Sequence, residues 1–381
     1  MRRNQPVMRI LYPYNEILPK KSAHDVYIAK NCTALASAGA QLTFAFGAGS
    51  LSNKELARHY QVDFESIVCR RLPIVRRNYG LPVNMNVVFF WSAQRVIART
   101  KPDWVAASVI KQGAYHLNRK IAGVKYVYEV HELAWYPDRT ITKEIEKRVE
   151  VERNVFNAAE AITVTTTALK DILQSSFYRI KTPIAVIPLA VDSSPLPPPP
   201  VPGEAVEIMY VGQFYQGQGL ELLLDALSKT TDIHLTLIGG KPEEIDRLQQ
   251  LSQSLDIEKR VLFTGFISPG QLPAIVSRCH AFVAPFSAIG KMPYVAHTKL
   301  LEYSAWQRPV IAPDLPATAE HYVSGNGWVP YTADDPESLA IALQSLTDES
   351  YLASQTAGSR LHKPLSWNER STRYLDFLSS I

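Results

Sequence analysis

Apolar and polar positions alternate between two periods along the chain. Arg9 to Tyr14 (RILYPY) is a short apolar run of strand type, followed by a loop to Ser22 and helical spacing from about Ala23 to Ala38. Gly39 follows the last periodic residue and predicts the helix stop. Gln41 to Phe46 (QLTFAF) is a second strand, so the chain opens as β-loop-α-β, the start of a doubly wound sheet. Ile67 to Val75 predicts a strand with a basic turn, Val87 to Arg99 an apolar helix, and Asp103 to Ala107 a buried strand. Val124 to Val130 is another strand, and it delivers His131 and Glu132 at its C-terminal end, the edge where open α/β sheets collect ligands. Ile145 to Ala158 is spaced as a helix, while Ala161 to Thr165 and Ile184 to Val191 close the first series of strands.

The pattern then breaks. Ser194 to Pro202 (SPLPPPPVP) has six prolines in nine residues, which no core strand or helix tolerates. It predicts a semi-rigid tether between two domains. A second α/β series follows: Val206 to Val211, a helix from Gly219 to Ser228, His234 to Ile238, a helix from Glu243 to Leu255, Val261 to Thr264 and Ala281 to Ala284. The expected division is residues 1–193, a linker at 194–203, a second domain at 204–365 and a closing helix at 366–381.

Composition adds boundaries to this picture. With 381 residues, 46% of them hydrophobic, two domains can each bury a core. The N-terminal MRRNQPVMRILYPY lacks the apolar run of a signal peptide, and nothing reaches the roughly 18 apolar residues of a membrane span. Cys32, Cys69 and Cys279 are odd in number and widely spaced, so reduced cysteines of a cytoplasmic protein are expected, without a disulfide frame or metal site. The net charge of +4 hides an asymmetry: residues 1–190 hold 27 Lys+Arg against 15 Asp+Glu, and residues 191–381 hold 13 against 21. Arg70-Arg71 and Arg76-Arg77 in the basic half suggest an anionic acceptor or membrane surface, or else solvated loop charges. Nucleic acid is not expected as a partner.

The stretch AHTKLLEYSAWQRPVIAP, from Ala296 to Pro313, predicts a loop, a helix of about ten residues and a buried strand. His297 and Thr298 stand at the helix start, where unpaired N–H groups and the dipole make a site for phosphate. Lys299 lies in the first turn, where the dipole does not favour a cation, so an anionic partner is expected. Glu302 follows one turn later and can accept from sugar hydroxyls. The bland alternative is a surface helix with an i,i+3 Lys–Glu pair.

This stretch resembles the donor-site helix of retaining family 4 glycosyltransferases with the GT-B fold, K-[LF]-[LF]-E-Y-x-A-x-x-[KR]-P-V-I-A. The resemblance covers most of the chain and is strongest from Val206 to Pro330. It implies an α/β protein of two Rossmann-like, doubly wound domains facing a shared cleft. It further implies a diphosphate held at Thr298 and Lys299, ribose hydroxyls on Glu302, and base recognition by the loop at Phe266-Ile267. Glu129-Val130-His131-Glu132 matches the family's E-x-H-E motif, which implies that His131 faces the reaction centre.

Three positions depart from the pattern. The second glutamate of many members, eight positions before Glu302, is Tyr294 here. The cations usual after Gly212 are Gln213 and Gln218, and glutamine brings no charge to a diphosphate. Lys299, Lys291 and Lys241 are candidates to compensate. The implied activity is retaining transfer from a nucleotide-diphosphate sugar, the co-substrate, with neither cofactor nor metal. Alternatives are a non-catalytic sugar-nucleotide-binding or scaffold subunit, and an epimerase on the same fold. A cytoplasmic protein meeting its acceptor at the inner membrane face fits the basic first half.

Overall fold

A computed structural model of the chain describes residues 7–381 apart from 21, 76–85, 193, 194, 200, 202, 204, 216, 269 and 362. The expectations for Arg76 and Arg77, and for Ser194, Pro200 and Pro202 of the proline-rich stretch, lie outside the described residues. Two compact units form: residues 1–188 with 367–381, and residues 189–366.

The first unit holds a seven-stranded sheet of β1 (Arg9–Ile17), β2 (Gln41–Gly47), β3 (Val68–Leu72), β4 (Trp104–Ala107), β5 (Lys125–Val130), β6 (Ala161–Val164) and β7 (Ile184–Val186). All neighbours are parallel, in the order β3-β2-β1-β4-β5-β6-β7. Helix Ala23–Ser37 starts where the Ser22 side chain accepts from the Asp25 N–H, and Gly39, at φ +104°, stands just past its end. Helices Asn53–Tyr60, Ile110–Leu117 and Thr167–Gln174 escape the sequence reading, being only about two turns long. The strand expected over Ile184 to Val191 stops at Val186, short of Pro188. Arg71 of the basic pair is held within the fold: it donates to Gly49 O and Asn53 Oδ1 and covers the Phe46 ring. Arg70 is exposed.

The closing helix Trp367–Ser380 belongs to this first unit and packs on helix Ala23–Ser37. Arg370, Ser371, Tyr374 and Leu378 recur at helical spacing along its buried stripe.

The second unit holds β8 (Val206–Gly212), β9 (Ile233–Gly239), β10 (Val261–Gly265), β11 (Ala281–Val283), β12 (Val310–Pro313) and β13 (Trp328–Tyr331), all parallel, in the order β10-β9-β8-β11-β12-β13. Alternate residues of β8 serve two cores. Ile208 and Tyr210 join one apolar cluster and Met209 the other, as expected for a parallel sheet covered on both faces.

The proline-rich stretch expected as the tether lies beyond the division between the units, which falls at Pro188. Its described residues run against the second unit. Leu196 packs on the apolar cluster and its N–H meets Trp306 O at 3.4 Å. Arg308, 1% exposed, donates to Cys279 O and Pro197 O. A buried guanidinium needs acceptors, and carbonyls of a stretch without regular structure are there to be used. The three cysteines are free thiols. Among the described residues no helix is long and apolar enough to cross a membrane.

Candidate active site

In the second unit the strand order reverses between β8 and β11, the position where doubly wound sheets bind ligands. Two loops meet there. One leaves β8 at Gly212 and reaches helix Leu220–Ser228 through Gly219; the other runs from β11 to helix Thr298–Ala305. Gly219 joins them: at φ +71° its Cα lies so near the second loop that an added Cβ would stand 1.6 Å from Pro285 O. Tyr303 fastens the helix to the strand, its hydroxyl accepting from Val211 N at 2.8 Å and lying 3.2 Å from Val211 O.

Lys299 fills the space between the loops. Its Nζ donates to Gln218 Oε1 at 2.8 Å and lies 3.7 Å from the centroid of the Tyr210 ring. At Gly212 an added Cβ would come within 2.7 Å of that Nζ. Within the protein Lys299 is therefore held by a neutral amide oxygen and an aromatic face. Burial pulls the ammonium down to about 7, against the opposing charge of Glu302. Gln218, 4% exposed, is a support for the cation, and its Oε1 also lies 2.8 Å from Tyr210 Oη. A lysine at this place would meet Lys299 with like charge.

The other expected donor-site residues take varied positions. Gln213 is exposed while its carbonyl accepts from Tyr210 Oη at 2.7 Å. Thr298 and Glu302 are exposed on the first turns of the helix, so both side chains are accessible from one end of it. The His297 ring stacks on Phe286 at 4.1 Å and donates from Nε2 to Met292 O at 2.8 Å. Burial holds this imidazole down to about 4, so it is neutral at pH 7. Its side chain anchors the loop, and only its backbone stands at the helix start. Tyr294 is half-buried in the turn before it, its N–H bonded to Lys291 O. Phe266 is 81% exposed beyond β10, whereas Ile267 packs on the apolar cluster. Lys241 and Lys291 are exposed.

In the first unit His131 stands just past β5 over a buried carboxylate. Glu129, 2% exposed, accepts from Tyr12 Oη at 2.6 Å, and Tyr27 Oη lies 3.5 Å from the same oxygen. His131 Nε2 is 3.9 Å from that oxygen, an ion-pair distance too long for a hydrogen bond. Burial alone would raise Glu129, but His131, Arg370 and Tyr12 outweigh it and hold the carboxyl down to about 2. The imidazole meets the rings of Tyr27 and His24 edge-on, at 4.9 and 5.4 Å. His24 is pushed down to about 4 by burial and then by the charge of His131. Past His131, the loop is pinned by Glu152, which accepts from Ala134 N and from Tyr178 Oη at 2.6 Å.

Sequence reasoning named His131 and missed Tyr12, Tyr27 and Arg370. Glu129 was visible as the first position of E-x-H-E, an acid inside an apolar strand. Arg370 left only the sign of a cation on the apolar stripe of a helix.

Comparisons with known proteins cover both units. The family described as Glycosyltransferase Family 4 matches residues 25–194, and Glycosyl transferases group 1 matches residues 205–349. No curated protein matches the sequence. Sucrose-phosphate synthase from Thermosynechococcus elongatus is similar in fold, at TM-score 0.73 and 16% identity over 98% of both chains. HepE of Anabaena, crystallised with UDP, gives TM-score 0.73 and 16% identity over 98% of this chain and 100% of its own. The lipopolysaccharide outer core galactosyltransferase WaaB gives 0.72 and 15%, over 98% and 100%. Two parallel Rossmann-like sheets, matched in turn by the two halves of one enzyme family, make this chain a GT-B glycosyltransferase of family 4, group 1.

Proposed function

We propose that the protein is a retaining glycosyltransferase that takes a nucleotide-diphosphate sugar on its second unit and passes the sugar to an anionic acceptor. The observation that carries the donor half is the group at the β8–β11 reversal: a helix start at Thr298, the Lys299 ammonium beside Gly212, and Glu302 exposed one turn on. A helix N-terminus with an adjacent cation suits a diphosphate, and a carboxylate one turn away suits a ribose diol. HepE of Anabaena has been crystallised with UDP and with UDP-glucose, which makes UDP-glucose the first donor to try. Transfer on the donor's own face needs no protein nucleophile, no cofactor and no resident metal. The protein's part is to position the partners and stabilise charge on the departing diphosphate. The E-x-H-E motif and the ionised Glu129 carboxylate beside the imidazole support reading His131 as the group that faces the reacting sugar. Gln213, Gln218 and Tyr294 favour a second reading, a binding subunit without turnover.

A panel of UDP-, GDP- and ADP-sugars separates the two. Slow release of nucleoside diphosphate is expected from the enzyme, and binding without release even with acceptor extracts would favour the subunit. His131→Ala should lower kcat far more than it lowers donor affinity, since a group near the reacting centre acts mainly in the transition state. An equal fall in both would make His131 a ground-state binding residue.

The basic half of the sequence supports an anionic acceptor, met in the cytoplasm or at the inner face of its membrane. Surface attraction of this kind is screened within about 8 Å at physiological salt. Binding to liposomes should then require anionic lipid and weaken as salt rises. Equal binding to neutral liposomes would remove the membrane version.

A further inference from the structure

Beneath His131 lies a set of buried charges that the transfer reaction does not itself call for. Arg370, on the closing helix, is 1% exposed. Its Nη1 donates to Asn31 Oδ1 at 2.6 Å, its Nη2 donates to Tyr27 Oη, and its guanidinium lies over the Tyr27 ring at 5.1 Å. Tyr27 Oη, having accepted from Arg370, has its own proton left for Glu129 Oε2, 3.5 Å away. The Tyr27 ring also meets the His131 ring edge-on. One side chain therefore touches the cation, the carboxylate and the imidazole.

We propose that Tyr27 and Arg370 are positioning residues for His131, joining the closing helix to the imidazole through the Glu129 carboxylate. This rests on the reading of His131 as a group near the reacting sugar. The plain alternative is that Arg370 only fastens the closing helix to helix Ala23–Ser37. Apolar packing fastens helices at lower cost, because removing two charges from water is expensive and replacing such pairs by apolar residues is often neutral or stabilising. A buried Arg–Tyr–Glu chain is accounted for if the carboxylate has to stay ionised and fixed under His131. Among the described residues Glu129 Oε1, His131 Nε2 and Arg370 Nε are buried without a hydrogen bond. Such a network is held by few bonds, so losing one should be felt by the others.

Tyr27→Phe tests this mildly, since it keeps the ring and removes only the hydroxyl. Turnover of the best donor from the sugar panel, and calorimetric affinity for its nucleoside diphosphate, are measured in wild type, Tyr27→Phe, His131→Ala and the double variant. Tyr27→Phe is expected to lower kcat about tenfold, with affinity unchanged, and to add nothing in the His131→Ala background, because coupled residues are not additive. An equal loss in both backgrounds, or no loss in wild type, overturns the proposal. Undiminished turnover in His131→Ala is a different result: it removes the reading of His131 and the inference with it. A readout apart from turnover is the NMR signal of the His131 ring in histidine-labelled protein, assigned by its loss in His131→Ala. It should move in Tyr27→Phe and in Arg370→Met while the His234 signal, from the second unit, stays; an unmoved His131 signal overturns the proposal. Should Arg370→Met fail to fold, Tyr27→Phe still decides.

Discussion

Glu302→Ala should weaken binding of UDP, or of whichever nucleoside diphosphate the protein takes, by at least about tenfold. The Glu302 side chain is exposed on the helix that starts at Thr298, one turn beyond Lys299. If its carboxylate accepts from both ribose hydroxyls, the variant loses charged hydrogen bonds worth roughly 1.5–3 kcal/mol each. Every 1.4 kcal/mol is about one decade in affinity. The cause can be isolated with a 2′-deoxy nucleotide. It should bind wild type less well than the ribonucleotide, yet bind Glu302→Ala with little further loss. A solvated Lys–Glu pair on a surface helix gives another pattern: at most about 1 kcal/mol of stability and no change in ligand affinity. Calorimetric affinities unchanged by Glu302→Ala would remove the ribose assignment.

Lys299 should make diphosphate binding depend on pH with a definite sign. Burial lowers its ammonium to about 7, and its hydrogen-bond acceptor is the neutral Gln218. A bound diphosphate would favour the charged form and raise it again. Between about pH 7 and 9 the free protein has therefore largely lost this proton, and binding takes it back. Affinity is highest below pH 7 and falls as pH rises, by up to about tenfold per unit. Calorimetry at pH 8.5 in buffers of different ionisation enthalpy should show uptake of about one proton in wild type and none in Lys299→Met. Stability of the free protein follows the opposite trend. The unfolded chain, with an ordinary lysine, binds more protons than the folded one from about pH 7 to 10.5, so this group's contribution rises with pH in that window. A pH dependence surviving in Lys299→Met would exclude Lys299 as its source. Lys299→Met should also weaken the diphosphate strongly and the bare nucleoside hardly at all.

What the chain of residues determines by itself is local. Strand and helix alternate because apolar positions recur at the two periods, and those periods mark burial on one face of an element or both. Hence the strands of both sheets apart from β13, the helix starting at Thr298 and the place of His131 after β5 are readable without coordinates. The motif residues His131, Lys299 and Glu302 are readable too, because ligand loops follow strand ends. Their surroundings are not. Gln218 looks like a missing cation until the fold turns its amide oxygen onto Lys299, 81 positions away. The sequence places the His297 backbone at the helix start, but only packing shows that its ring stacks on Phe286 and is tied to Met292 O. Arg370 reaches Asn31 across 339 positions, and nothing near either residue announces the other. Periodicity says that a side chain is buried; only packing decides which buried polar group it meets, and that partner sets its charge.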